Sequence, residues 1–149
     1  MKPQTAEELL ERARARLERL SPPDALTAQL DGALLVDVRS HGDRVREGVI
    51  PGSLHVPRTV LEWRLDPASP YCNPHACDRA RRVVVVCSDG YASSLAAATL
   101  QELGHERATD VIGGFRAWRH EGLPVVAAPP DADDPPGMGA PFSAPRSRG

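Results

Sequence analysis

The chain has 149 residues, 41% hydrophobic and 26% charged, enough for one domain with its own core plus short tails. Eighteen Lys+Arg against 20 Asp+Glu give a net charge of −2, which argues against a nucleic-acid or membrane-surface partner. No apolar run approaches a membrane span and no signal-peptide core follows Met1, so a cytoplasmic protein is expected, with its three cysteines as thiols rather than a disulfide framework.

Thr5-Ala6-Glu7-Glu8 reads as a capping box, and Leu9, Leu10, Ala13, Leu17 and Leu20 fall on one stripe. Residues 1–20 are therefore predicted to form an amphipathic helix packed on the domain. Ser21-Pro22-Pro23-Asp24 is a second start signal, a serine cap with proline at the first helical position, for a short helix to about Leu30. Ala33 to Val38 is a buried strand that brings Asp37 and Arg39 near its carboxyl end, where they read as a structural ion pair near the site. His41 to Glu47 is a helical turn stopped by Gly48, and Leu54-His55-Val56 a short strand. Thr59 to Leu65 reads as a helix with Leu61 and Leu65 inward, followed by a proline-rich, polar surface loop over 66–77.

Val83-Val84-Val85-Val86 is the strongest strand signal: four consecutive β-branched apolar residues suit a strand buried on both faces. It ends at Cys87, and a short loop leads into an Ala/Leu-rich helix, Ser94 to Leu103, stopped by Gly104. Ligands of parallel sheets gather at strand carboxyl ends, and the N–H groups of the next helix favour an anion there. This spacing proposes Cys87 as a nucleophile. Thr109 to Ile112 is a further strand, and Phe115 to Glu121 a helix ended by Gly122-Leu123-Pro124. Residues 127–149, dominated by Pro, Gly, Asp, Ala and Ser, are expected to be a disordered tail. Strands alternating with helices make residues 21–126 an α/β domain with a parallel sheet.

Four motifs, in family order, make this region resemble the rhodanese-like sulfurtransferases. Leu35-Val36-Asp37-Val38-Arg39 looks like the family's LVDVR strand, and Gly48-Val49-Ile50-Pro51-Gly52-Ser53 like its GHIPGA turn with valine for histidine. Cys87-Ser88-Asp89-Gly90-Tyr91-Ala92-Ser93 matches the active-site loop, and Gly113-Gly114-Phe115-Arg116-Ala117-Trp118 the closing GGxxxW. The resemblance implies a doubly wound sheet of about five parallel strands with helices on both faces. It also implies a Cys87 persulfide held by the backbone N–H groups of Ser88, Asp89, Gly90, Tyr91, Ala92 and Ser93, with no cofactor and no metal. The implied partners are a small-molecule or protein persulfide donor and a thiol acceptor.

The loop departs from the basic CRxGxR form: Ser88 and Ala92 stand where the arginines would be, and Asp89 adds a negative charge. That argues against a dianionic donor such as thiosulfate. Arg58, beside a strand end, is the best-placed basic residue; Arg44, Arg46 and Arg64 read as solvated surface arginines. A C-x5-R phosphatase would need arginine at Ser93 to grip phosphate bidentately. A non-catalytic, regulatory rhodanese-fold binding module is the alternative from a different class. Cys72, His75 and Cys77 lie close in sequence but lack a fourth zinc ligand, and either cysteine is a candidate to resolve a Cys87 persulfide.

Overall fold

The computed structural model describes residues 1–129, and the expected tail from residue 130 onward lies outside the described residues. The order of elements is α1 (Ala6–Arg14), α2 (Pro22–Leu30), β1 (Leu34–Asp37), α3 (His41–Glu47), β2 (Leu54–His55), a 3-10 turn (Arg58–Val60), α4 (Leu61–Leu65), β3 (Val83–Val86), α5 (Ala92–Glu102), β4 (Thr109–Asp110) and α6 (Gly114–His120). The strands form one parallel sheet in the order β2-β1-β3-β4. The chain thus winds outward from β1 to one edge, returns, and winds outward from β3 to the other. The switch point of this doubly wound sheet lies between β1 and β3, where ligands gather in such folds.

Period-two alternation distributes the strand side chains between two cores. Leu34, Val36, Val83 and Val85 meet Leu61 and Leu65 of α4 and Ala96, Ala97 and Leu100 of α5 on one face. Leu35, Val84 and Val86 meet Ala25 of α2 and Phe115 and Trp118 of α6 on the other. All four residues of β1 and of β3 are buried, so the continuous apolar run in the sequence reflects a strand covered on both sides.

Three expectations need correction. The described residues contain four strands rather than about five. Beside β4, where another strand would lie, there is a single bridge between Leu20 and Val111. Leu20 N–H donates to Asp110 O at 3.0 Å and Ile112 N–H to Leu20 O at 2.8 Å, but Pro22 then starts α2 and has no N–H to extend a ladder. The first helix stops at Arg14 rather than running to Leu20. Its last turn tightens through Leu17 N–H to Arg14 O, and the chain then runs along the sheet edge, where Thr109 Oγ1 donates to Glu18 O at 2.9 Å. The capping box forms as predicted, and Leu10 and Ala13 bury the helix against α5.

The third correction concerns the cysteines. Cys72 and Cys77 form a disulfide, Cα to Cα 6.0 Å, rather than remaining thiols. Asn73 N–H binds Arg64 O and Ala76 N–H binds Asn73 O, a turn that brings the two cysteines within bridging range. Neither sulfur is therefore a free thiol able to resolve a persulfide. Among the described residues no helix is long and apolar enough to cross a membrane, and no group of three or more His, Cys, Asp or Glu could hold a metal ion.

Candidate functional site

Cys87 follows the last residue of β3 and is the free cysteine among the described residues. The loop after it curls back, so that Gly90 N–H donates to its Sγ at 3.1 Å and Ser93 N–H at 3.3 Å. Two amide dipoles thus place positive charge against the sulfur, one from the loop and one from the first turn of α5. Cys87 is 7% exposed and opens into a cavity of about 300 Å³ lined by Val38, Arg39, Arg58, Ser88, Asp89, Tyr91 and Ala92. The amides of Ser88, Asp89, Tyr91 and Ala92 have no protein acceptor among the described residues. Residues of the proposed loop and Arg58 are therefore gathered around one cavity, with Gly90 and Ser93 buried behind the sulfur.

The GGxxxW turn holds the loop in place. Phe115 N–H donates to Cys87 O at 2.8 Å and Arg116 N–H to Ser88 O at 3.1 Å. This approach requires glycine on both sides. Gly90 has φ +85°, and a Cβ there would lie 2.7 Å from Gly113 N; Gly114 has φ +64°, and its Cβ would lie 2.5 Å from Cys87 O. Trp118 and Phe115, both fully buried, anchor the other side of the turn in the core.

Asp37 and Arg39 form the expected structural pair. Asp37 Oδ1 accepts from Arg39 N–H at 3.0 Å and Nε at 3.1 Å, and Oδ2 from Arg39 Nη2 at 2.8 Å. Arg39 Nη2 also donates to Gly48 O at 2.8 Å, tying the strand to the turn that resembles GHIPGA. Its Nη1 is buried without an acceptor among the described residues, while the Phe115 ring lies 3.8 Å from the guanidinium carbon. Arg44 and Arg64 are not solvated. Arg44 is buried and donates to Asp37 Oδ2 at 3.2 Å, and buried Arg64 donates to Tyr71 O at 3.0 Å. Arg46 is exposed and pairs with Asp43. Arg58 does line the cavity, with its charge shared with Glu62 at 2.8 Å.

Four residues missed in the sequence shape the loop. Arg116 forks both oxygens of Asp89, at 2.8 and 2.9 Å, and offsets the charge that Asp89 brings. Fully buried Asp110, at the end of β4, accepts from Ser93 Oγ at 2.7 Å, Ser94 Oγ at 2.8 Å and Arg19 at 2.9 and 3.2 Å. The two serine hydroxyls are therefore turned to this carboxylate and do not cap α5. Arg14 and Arg19 both donate to Gly90 O, at 2.8 and 3.0 Å. Asp110 alone had a usable signal, being a polar residue at a strand's carboxyl end like Asp37.

A family model described as a rhodanese-like domain matches residues 22–121. A sulfurtransferase of Allochromatium vinosum is 32% identical over 100 residues, covering 67% of this chain and 84% of that protein. Among solved structures, a Rhodopseudomonas palustris protein described as a possible tyrosine phosphatase is 34% identical, with a TM-score of 0.76 over 85% of this chain and all of that one. The polysulfide-sulfur transferase homodimer of Wolinella succinogenes is 27% identical, with a TM-score of 0.66 over 85% of this chain and 90% of that one. A buried cysteine at the carboxyl end of β3, cradled by amides and braced by a GGxxxW turn, thus occurs within a match that spans the α/β unit from residue 22 to 121, and the chain belongs to the rhodanese-like family.

Proposed function

We propose that this chain is a sulfurtransferase that carries sulfane sulfur as a persulfide on Cys87. The observation that supports it best is the sulfur itself: a free cysteine faced by two amide donors, opening into a cavity lined by four residues whose amides have no protein acceptor among the described residues. The Cys87 thiolate attacks the outer sulfur of a donor persulfide, R–S–SH, forming the Cys87 S–S bond as the donor's S–S bond breaks and RSH leaves. The terminal sulfur remains as Cys87–S–S⁻, and the amides of residues 88–93 receive its charge, as backbone loops do for phosphate. An acceptor thiolate then attacks that terminal sulfur, takes it as a new persulfide, and Cys87 leaves as thiolate. Electrons move only between sulfur pairs, so neither step calls for an external oxidant.

The donor we favour is a persulfide or polysulfide rather than thiosulfate. No basic side chain lies in the loop, and the cavity's own surface cation, Arg58, is already engaged by Glu62. Arg116 softens the repulsion from Asp89 but adds no free positive charge. Phosphatase chemistry is disfavoured because Ser93, where a phosphate-gripping arginine would stand, is buried and bonded to Asp110. Turnover of a donor panel (thiosulfate, mercaptopyruvate, glutathione persulfide, inorganic polysulfide) by wild type and Cys87→Ser tests this reading. Persulfide or polysulfide should give the higher kcat/KM, with no turnover by Cys87→Ser. A strong preference for thiosulfate would overturn the donor assignment, and hydrolysis of an aryl phosphate in place of sulfur transfer would overturn the reaction class.

A further inference from the structure

We infer that Arg14 and Arg19, which precede the family-matched residues 22–121, are positioning residues for the sulfur-carrying loop. Both guanidinium groups donate to one acceptor, the Gly90 carbonyl, at 2.8 and 3.0 Å. A trans peptide is planar, with its C=O and N–H on opposite sides. Fixing the Gly90 carbonyl toward the N-terminal segment therefore turns the Tyr91 N–H the other way, and Tyr91 lines the Cys87 cavity. That amide is one of the four without a protein acceptor. Two cationic donors on the carbonyl also polarise the peptide and strengthen its N–H as a donor.

The two arginines differ in what else they touch. Arg19 is paired with buried Asp110, so its charge is offset. Arg14 meets Ser94 Oγ at 3.1 Å, Gly90 O and the face of Tyr91 at 5.4 Å, and pairs with no carboxylate among the described residues. It therefore brings to the Gly90 carbonyl a positive charge with no carboxylate bonded directly to it among the described residues; Asp110 reaches it only through Ser94 Oγ. The loop's own side chains, Ser88, Asp89, Tyr91, Ala92 and Ser93, supply none. In this chain the positive charge comes from the N-terminal helix and acts through the backbone, which binds the helix to the chemistry rather than to packing alone.

The inference rests on Cys87 being the nucleophile of the proposed function, and the test separates the two. Arg14 lies on a short surface helix, so Arg14→Gln should fold, as circular dichroism and a thermal melt will report. Alkylation of Cys87 is then timed by mass spectrometry with anionic iodoacetate and neutral iodoacetamide, neither of which requires sulfur transfer. The iodoacetate rate should fall about tenfold, the low end of the effect of focused local charge, with a much smaller change for iodoacetamide. Arg14→Lys should restore much of it. Sulfur loading of Cys87 from glutathione persulfide should slow in parallel. A folded Arg14→Gln with an unchanged ratio of the two rates, or equal slowing of both probes that lysine does not restore, would overturn the inference. A wild type that shows the selectivity yet never takes up sulfur would sink the transferase reading and leave the arginine's role standing. Arg19→Lys, which keeps a charge opposite Asp110, is the second variant: it should retain most of the selectivity, and selectivity lost there while a folded Arg14→Gln keeps it would overturn the part given to Arg14.

Discussion

The tightest constraint on the site is the backbone contact between Gly114 and the Cys87 loop, and Gly114→Ala isolates it. Gly114 has φ +64°, and an added Cβ would sit 2.5 Å from Cys87 O and 2.8 Å from both Gly90 N and the Ser88 carbonyl carbon. Gly122 has a similar φ of +74° with nothing within 4 Å of its would-be Cβ. Both substitutions carry the left-handed backbone cost of about 1–2 kcal/mol. Only Gly114→Ala adds overpacking against immovable backbone, bringing its total to about 2–5 kcal/mol. The displaced loop would also strain the Phe115 N–H to Cys87 O and Arg116 N–H to Ser88 O bonds, at 2.8 and 3.1 Å. Urea unfolding of both variants gives the stability difference, and the initial rate of sulfur uptake by Cys87 gives the functional one. Gly122→Ala should keep near-wild-type uptake, while Gly114→Ala loses most of it. Equal stability of the two variants, with uptake preserved in Gly114→Ala, would refute the claim that this contact holds the loop.

Two other substitutions probe the charges around the cavity. Asp37→Ala leaves Arg39 and Arg44 buried without their counter-charge and should cost about 3–5 kcal/mol, read as a large drop in melting temperature. Arg116→Ala uncovers Asp89 beside the cavity and should slow uptake from anionic donors, with the difference from wild type shrinking as salt rises. A salt-independent loss would point instead to the backbone bond that residue 116 makes to Ser88.

The parts of the fold legible in the sequence are those written in local pattern. The valine run, the Thr5 and Ser21 caps and the Gly113-Gly114 turn each depend on neighbours a few residues apart, and each formed where expected. The extent of the first helix was misread because Leu17 and Leu20 satisfy a helical stripe equally well when they reach inward from an extended segment. What decided it was the open backbone of β4, some 90 residues away in the chain. The same holds at the site. Cys87 and its loop are contiguous and could be read. The Arg14 and Arg19 bonds to Gly90 O and the Arg116 fork on Asp89 could not, since periodicity reports which side of an element is buried and not which carbonyl a long side chain reaches. Cys72 and Cys77 were counted with Cys87 as thiols because an odd total hides a local pair.

If Cys87 carries the transferred sulfur, intact-mass and peptide-mass analysis after exposure to glutathione persulfide will find it there. The Cys87 peptide should gain one sulfur atom, which an acceptor thiol removes and which is absent from Cys87→Ser. Folded wild-type protein that gains no sulfur, or gains it elsewhere while Cys87 stays unmodified, would contradict that role for Cys87.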